Sequence, residues 1–172
     1  MEIMQPAVNS VAAPANRELT GAPTGSIRVL LADDHTGFRN CLRELLEMEE
    51  DIVIVGEAGD GIEAERQAAA LRPDVVVMDV QMPGQNGLHT TRALSHFGHS
   101  PRVIILTIYK HASIWREAAC AGAYGCFVKG ISTDRLLEAI RTVAAGQSLI
   151  APVLNGCPSS VSSNQGSRQL AG

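Results

Sequence analysis

The chain has 172 residues, 45% of them hydrophobic and 19% charged, the composition of a globular domain of ordinary size with a sizeable core. A net charge of −4, with only three Phe, two Tyr and one Trp, argues against a chain-wide basic surface or an aromatic platform for stacking bases. No apolar run approaches the ~20 residues of a membrane span, and no cationic start precedes an apolar core as in a secretory signal. The expectation is therefore a cytoplasmic protein with no membrane partner and no direct nucleic acid binding.

Residues 1–26 hold prolines, alanines and small polar residues without a sustained period. Such a stretch cannot bury enough apolar surface to offset its ordering entropy, and it reads as a flexible extension. Ile27 to Ala32 is an apolar run that reads as a buried strand and stops on Asp33-Asp34. From Thr36 the pattern turns helical, with Phe38, Leu42, Leu45 and Leu46 on one stripe. Asp51 to Gly56 is a β-branched second strand. The alanine-rich segment from Gly61 to Leu71 is helical by propensity and halts before Pro73.

Val75-Val76-Val77-Met78-Asp79, between Pro73 and Pro83, reads as a strand buried on both faces that ends on a carboxylate. After the loop from Pro83 to Gly87, a helix is predicted from Leu88 to about Phe97. A fourth strand runs from Arg102 to Thr107, a helix from Ala112 to Ala121, and a fifth strand from Ala123 to Val128, ending at Lys129. The last helix spans Thr133 to Ala145, with Leu136, Ile140, Val143 and Ala144 on one face and Gly146 placed as a C-terminal cap.

Five short apolar strands alternating with helices specify an α/β domain with a doubly wound five-stranded parallel sheet, helices on both faces, over residues 27–146. In such a sheet, chemistry sits beyond the carboxyl ends of the strands. Those ends carry Asp33 and Asp34, Asp79, Thr107 and Lys129. Three neighbouring carboxylates repel one another, and a hard divalent cation with oxygen ligands resolves the conflict; Mg²⁺ fits, since it keeps room for a phosphate oxygen. A carboxylate beside that metal can act as a nucleophile toward phosphorus, with Lys129 and Thr107 left to contact the remaining phosphoryl oxygens. The four cysteines form no CxxC and read as idle thiols rather than a disulfide framework or zinc site. His96 and His99 lack the companions of a metal centre.

The blocks Leu30-Leu31-Ala32-Asp33-Asp34-His35, Asp79 to Leu88, Leu106-Thr107 and Gly122 to Lys129 together resemble the receiver domains of two-component response regulators. Asp33-Asp34-His35, the Pro-Gly after Met82 and the stretch Ala144 to Pro152 are similar to the NarL/FixJ-type subgroup. The resemblance implies a flavodoxin-like (β/α)5 fold and a phosphorelay function. Asp79 would accept a phosphoryl group from a sensor histidine kinase or phosphotransfer protein. Asp33 and Asp34, with Asp79 and the backbone carbonyl of Gln81, would hold Mg²⁺, and Thr107 and Lys129 would contact the phosphoryl group. The surface expected to switch is that of the fourth helix, fifth strand and fifth helix.

The chain departs from the family pattern in two places. Three residues before the lysine, where the family carries Tyr or Phe, stands Cys126; adjacent Phe127 belongs to the opposite face of the strand. Residues 147–172 resemble the start of a linker that breaks into Ser, Asn, Gln and Gly, a disordered tail without the helix-turn-helix output domain of the subgroup. The leading reading is a receiver that acts through protein contacts. Alternatives are a truncated LuxR-type transcriptional regulator acting indirectly as a homodimer or heterodimer with a full-length regulator, and an atypical phosphate-independent receiver. An enzyme on this fold is disfavoured: the first loop has no glycine-rich signature, and Gln81 stands where a dehalogenase-type phosphatase needs a second Asp.

Overall fold

The computed structural model describes residues 25–150. The expected N-terminal extension, but for its last two residues, and the expected tail beyond residue 150 lie outside them. Five strands and five helices alternate: β1 (Ile27–Ala32), α1 (Thr36–Leu46), β2 (Ile52–Ala58), α2 (Gly61–Leu71), β3 (Val75–Asp79), α3 (Gly87–Leu94), β4 (Arg102–Thr107), α4 (Ala112–Ala121), β5 (Gly125–Val128) and α5 (Thr133–Ala144). The sheet has the order β2-β1-β3-β4-β5, and every pairing is parallel. This is the doubly wound architecture predicted from the alternation of elements.

The sheet is buried from both sides, because each parallel connection must cross one face. On one face Leu30, Val76, Met78, Val103 and Ile105 pack with Ala64 and Ala68 of α2, Leu94 of α3 and Ala118 of α4. On the other, Val29, Leu31, Val77, Ile104 and Leu106 pack with Leu42 and Leu46 of α1 and Leu136, Ile140 and Val143 of α5. Strand β3 lies at the centre with all five residues buried, as its unbroken apolar run requires.

Local chemistry sets the helix starts. The imidazole Nδ1 of His35 accepts from the Phe38 amide at 3.0 Å, Asp60 Oδ1 from the Glu63 amide at 2.7 Å, and Asn86 Oδ1 from the Leu88 amide at 2.8 Å. Each oxygen or nitrogen satisfies an amide that the first helical turn leaves without a partner. Three boundaries differ by two residues or more from the sequence expectation. Strand β2 continues two residues past Gly56, because Glu57 and Ala58 still pair with β1. Helix α3 stops at Leu94, where His96 and Phe97 tighten into bonds with the carbonyls of Ala93 and Leu94. Strand β5 starts at Gly125, since Tyr124 donates to Val103 before the ladder begins.

Residues 147–150 pack back on the domain. The Leu149 amide donates to the Tyr124 carbonyl at 2.7 Å, and Ile150 lies against the core layer that contains Cys126. Cys41 and Cys126 are free thiols, whereas Cys120 is disulfide-bonded, a departure from the expectation of four idle thiols.

Candidate functional site

Parallel pairing brings the carboxyl ends of β1, β3, β4 and β5 to one edge of the sheet. The order changes direction between β1 and β3, and in open α/β sheets that crevice is where ligands bind. Asp33 leaves β1 on one side of the crevice and Asp79 ends β3 on the other. One carboxylate oxygen from each of Asp33, Asp34 and Asp79 lies within 4.8 Å of the others. Asp33 and Asp79 are buried and Asp34 is exposed, so the trio opens to solvent on one side only.

Lys129, just past β5, crosses over to this cluster. Its Nζ is 2.7 Å from Asp33 Oδ2 and 2.9 Å from Asp79 Oδ2, and it lies 4.7 Å from the centre of the Phe38 ring. The second oxygens are held by backbone: Asp33 Oδ1 accepts from the His35 amide at 2.9 Å, and Asp79 Oδ1 from the Val80 amide at 2.8 Å. Burial pushes the Asp79 carboxyl above its usual range; Lys129 and the Val80 amide oppose that shift, and the charge of Asp33 adds to it. Burial also disfavours the Lys129 ammonium, but its bonds to Asp33 and Asp79 outweigh this and hold it charged above its ordinary value.

Thr107 is 1% exposed at the end of β4. Its Oγ1 accepts from the Tyr109 amide at 3.1 Å, and its carbonyl accepts from the Lys129 amide at 2.7 Å. That second bond ties the end of β4 to the residue that carries the ammonium. Gln81 lies exposed two residues beyond Asp79, in the loop before α3. The chain closes on that loop: the Gly87 amide donates to the Val80 carbonyl at 3.0 Å, and Gly87 abuts the Asp79 carbonyl.

Three carboxylates facing one ammonium leave an excess of negative charge, and all the donors are hard oxygens. That donor set fits Mg²⁺, which favours carboxylate oxygens and tolerates a site completed by water or phosphate. Three contributors escape the sequence reading. Phe38 belongs to the helix stripe and does pack on the core, but its ring also supports Lys129; its position one turn after Asp34 is the available signal. Arg39 and Glu57 join β2 to the loop that bears the acids, an arrangement with no local sequence signature.

The chain as a whole is similar to known proteins. A family model described as the response regulator receiver domain matches residues 29–141. The chain belongs to the response regulator receiver family. It is 34% identical over 128 residues to the transcriptional regulatory protein LnrK of Bacillus subtilis, covering 74% of this chain and 58% of that protein. Over 126 residues it is 34% identical to the nitrate/nitrite response regulator protein NarL of Escherichia coli, covering 73% and 58%. Among solved structures, the signal receiver domain of the putative response regulator NarL from Mycobacterium tuberculosis superposes with a TM-score of 0.69 at 30% identity, covering 71% of this chain and 98% of that one. The chain spans a little under three fifths of the length of these curated relatives. Receivers of this family are phosphorylation switches in two-component signalling, with relatives among transcription regulators. Among the described residues, no helix is long and apolar enough to cross a membrane.

Cys126 occupies the position three residues before the lysine. It sits opposite Ile105 in the ladder and is buried in the layer beneath α4, while Phe127 packs on the other layer. The aromatic ring therefore does not substitute for the missing one.

Proposed function

We propose that this receiver accepts a phosphoryl group on Asp79 from a sensor histidine kinase or phosphotransfer protein, in the cytoplasm. The supporting observation is the convergence of Asp33, Asp34 and Asp79 within 4.8 Å, with Lys129 bridging two of them. An Asp79 carboxylate oxygen attacks phosphorus; the new O–P bond forms as the donor's P–N or P–O bond breaks, and the departing group takes the electron pair. Asp33, Asp34 and Asp79, with the Gln81 carbonyl, would hold Mg²⁺, which supplies positive charge to the transferring phosphoryl group. Lys129 exchanges a carboxylate oxygen for a phosphoryl oxygen, and the Thr107 hydroxyl donates to another.

Phosphorylation adds charge and three strong acceptors at the end of β3. Thr107 and Lys129, joined through their backbones, carry that change toward α4, β5 and α5, biasing an existing equilibrium between two arrangements of that face. The output is a protein contact: a homodimer, or a heterodimer with a full-length regulator, through which transcription is regulated indirectly. Cys126 favours a second reading of the output step, in which movement is carried by backbone rather than by a swinging ring, because a thiol is too small to fill and vacate an aromatic pocket.

The test is intact-protein mass after incubation with Mg²⁺ and acetyl phosphate, alongside Asp79→Asn. One added phosphoryl group that requires both the metal and Asp79 supports the reading. A folded protein that gains none overturns it.

A further inference from the structure

Strand β2 is irregular where it passes β1. Val29 pairs with Ile54 but Leu30 pairs with Gly56, so β2 carries one extra residue between them. Side chains alternate along a strand, and an inserted residue inverts the alternation beyond it. Ile52 and Ile54 accordingly pack in the layer of α1 and α5, while a β-carbon on Gly56 would strike Gln67 and Leu71 of α2. Glu57, next along, is thereby turned toward α1. A regular strand would have pointed it at α2.

There Glu57 meets two arginines. Arg39 Nε donates to Glu57 Oε2 at 2.8 Å, and Arg43 Nη1 donates to the other oxygen. Arg39 also reaches the acidic loop, where its Nη1 donates to the backbone carbonyl of Asp33 at 2.5 Å. The pair is largely enclosed, with side-chain exposures of 15% for Arg39 and 20% for Glu57. The donors of a guanidinium form a rigid planar fork, so holding both acceptors at once fixes the distance between β2 and the loop after β1. The Asp33 carbonyl lies in one rigid peptide plane with the Asp34 amide. Anchoring that carbonyl sets the direction in which Asp34 leaves the strand.

We infer that Arg39, held by Glu57, is a positioning residue for the acidic site: it fixes the Asp33–Asp34 peptide and so the placement of both carboxylates for a divalent cation. The inference rests on the Mg²⁺ reading of the acidic cluster given above. Charge alone predicts the opposite sign, because removing a nearby cation should tighten binding of another. The two effects can therefore be separated.

The experiment is calorimetric titration of MgCl₂ into the full chain, wild type and variants, with thermal unfolding of each in EDTA. Arg39→Gln should weaken Mg²⁺ binding by about tenfold or more, the scale on which loss of a group orienting a ligand acts. Arg39→Lys should also weaken it, since an ammonium lacks the planar fork. Arg43→Gln is the control: it removes a partner of the same Glu57 without touching Asp33, and its Mg²⁺ affinity should stay within about twofold of wild type. A merely structural role would lower the melting temperature of both arginine variants and leave affinity alike. Wild-type affinity or tighter in folded Arg39→Gln overturns the inference; if that variant does not fold, wild-type affinity in Arg39→Lys does so. No Mg²⁺ binding by wild type overturns the metal reading itself.

Discussion

A β-carbon on Gly87 would lie 1.8 Å from the carbonyl oxygen of Asp79. The start of α3 thus rests directly on the backbone of Asp79, and no side chain fits between them. Gly87→Ala must push helix and strand apart, since the obstacle is backbone rather than the end of a flexible side chain. We expect a loss of about 3 kcal/mol in urea unfolding, the upper end of overpacking costs. Phosphoryl uptake from acetyl phosphate should fall as Asp79 is displaced. Unchanged stability would mean that the helix start shifts freely.

Asp79→Asn should stabilise the metal-free chain. The folded state holds the Asp79 carboxyl above its usual range, chiefly by burial. It therefore binds the proton more tightly than the unfolded chain does. Stability is lost as pH rises from the ordinary carboxylate value, ~3.9, through the raised folded value. Melting temperatures in EDTA should diverge with rising pH in favour of the asparagine variant, and added Mg²⁺ should raise wild type more than the variant. Parallel melting curves across pH would contradict the burial argument.

Arg141 of α5 joins Asp51 and Glu49 at 2.7 Å each, tying the last helix to the start of β2. The bond from Arg141 holds the Asp51 carboxyl below its usual range. That contribution is complete above ~3.9 and is lost as pH falls through the depressed folded value. All three groups are exposed or half-exposed, so Arg141→Gln should cost under about 1 kcal/mol at neutral pH, and less in high salt. The check is a urea series at low and high salt; a cost independent of salt would point to packing instead.

Burial pushes the Cys126 thiol up to about 11, while Cys41 is exposed. At pH 8 only about one Cys126 in a thousand is thiolate, the reactive form. Iodoacetamide should label Cys41 and spare Cys126 until urea unfolds the chain, as read by peptide mapping. Rapid labelling of both in the native protein would show that β5 opens readily.

Much of this is legible in the sequence because the signals are local. Val75 to Asp79 is buried on both faces, as in any central parallel strand, and its apolar run cannot be mistaken for an alternating one. Asp33, Asp79, Thr107 and Lys129 can be grouped because parallel pairing sends every strand end to one edge, whatever the loops do. Glu57 cannot be placed in this way. Its facing depends on an extra residue between Ile54 and Gly56, and Ile-Val-Ile-Val reads the same with or without a bulge. The end of α3 is hidden for a similar reason, since nothing in Ser95-His96-Phe97 forbids another helical turn. The disulfide of Cys120 is likewise invisible, because spacing alone does not reveal which thiols meet.

The bond from Leu149 to Tyr124 bears on how this molecule coexists with its own copies. An open parallel sheet ends in two strands with unpaired peptide groups, each a template onto which a foreign strand can add. On the β5 side, the acceptor at the foot of the last strand is already taken by the chain itself, and Ile150 covers the apolar flank beside it. The short stretch after α5 therefore acts as a selvedge, finishing that border of the sheet and leaving less of it exposed to another molecule.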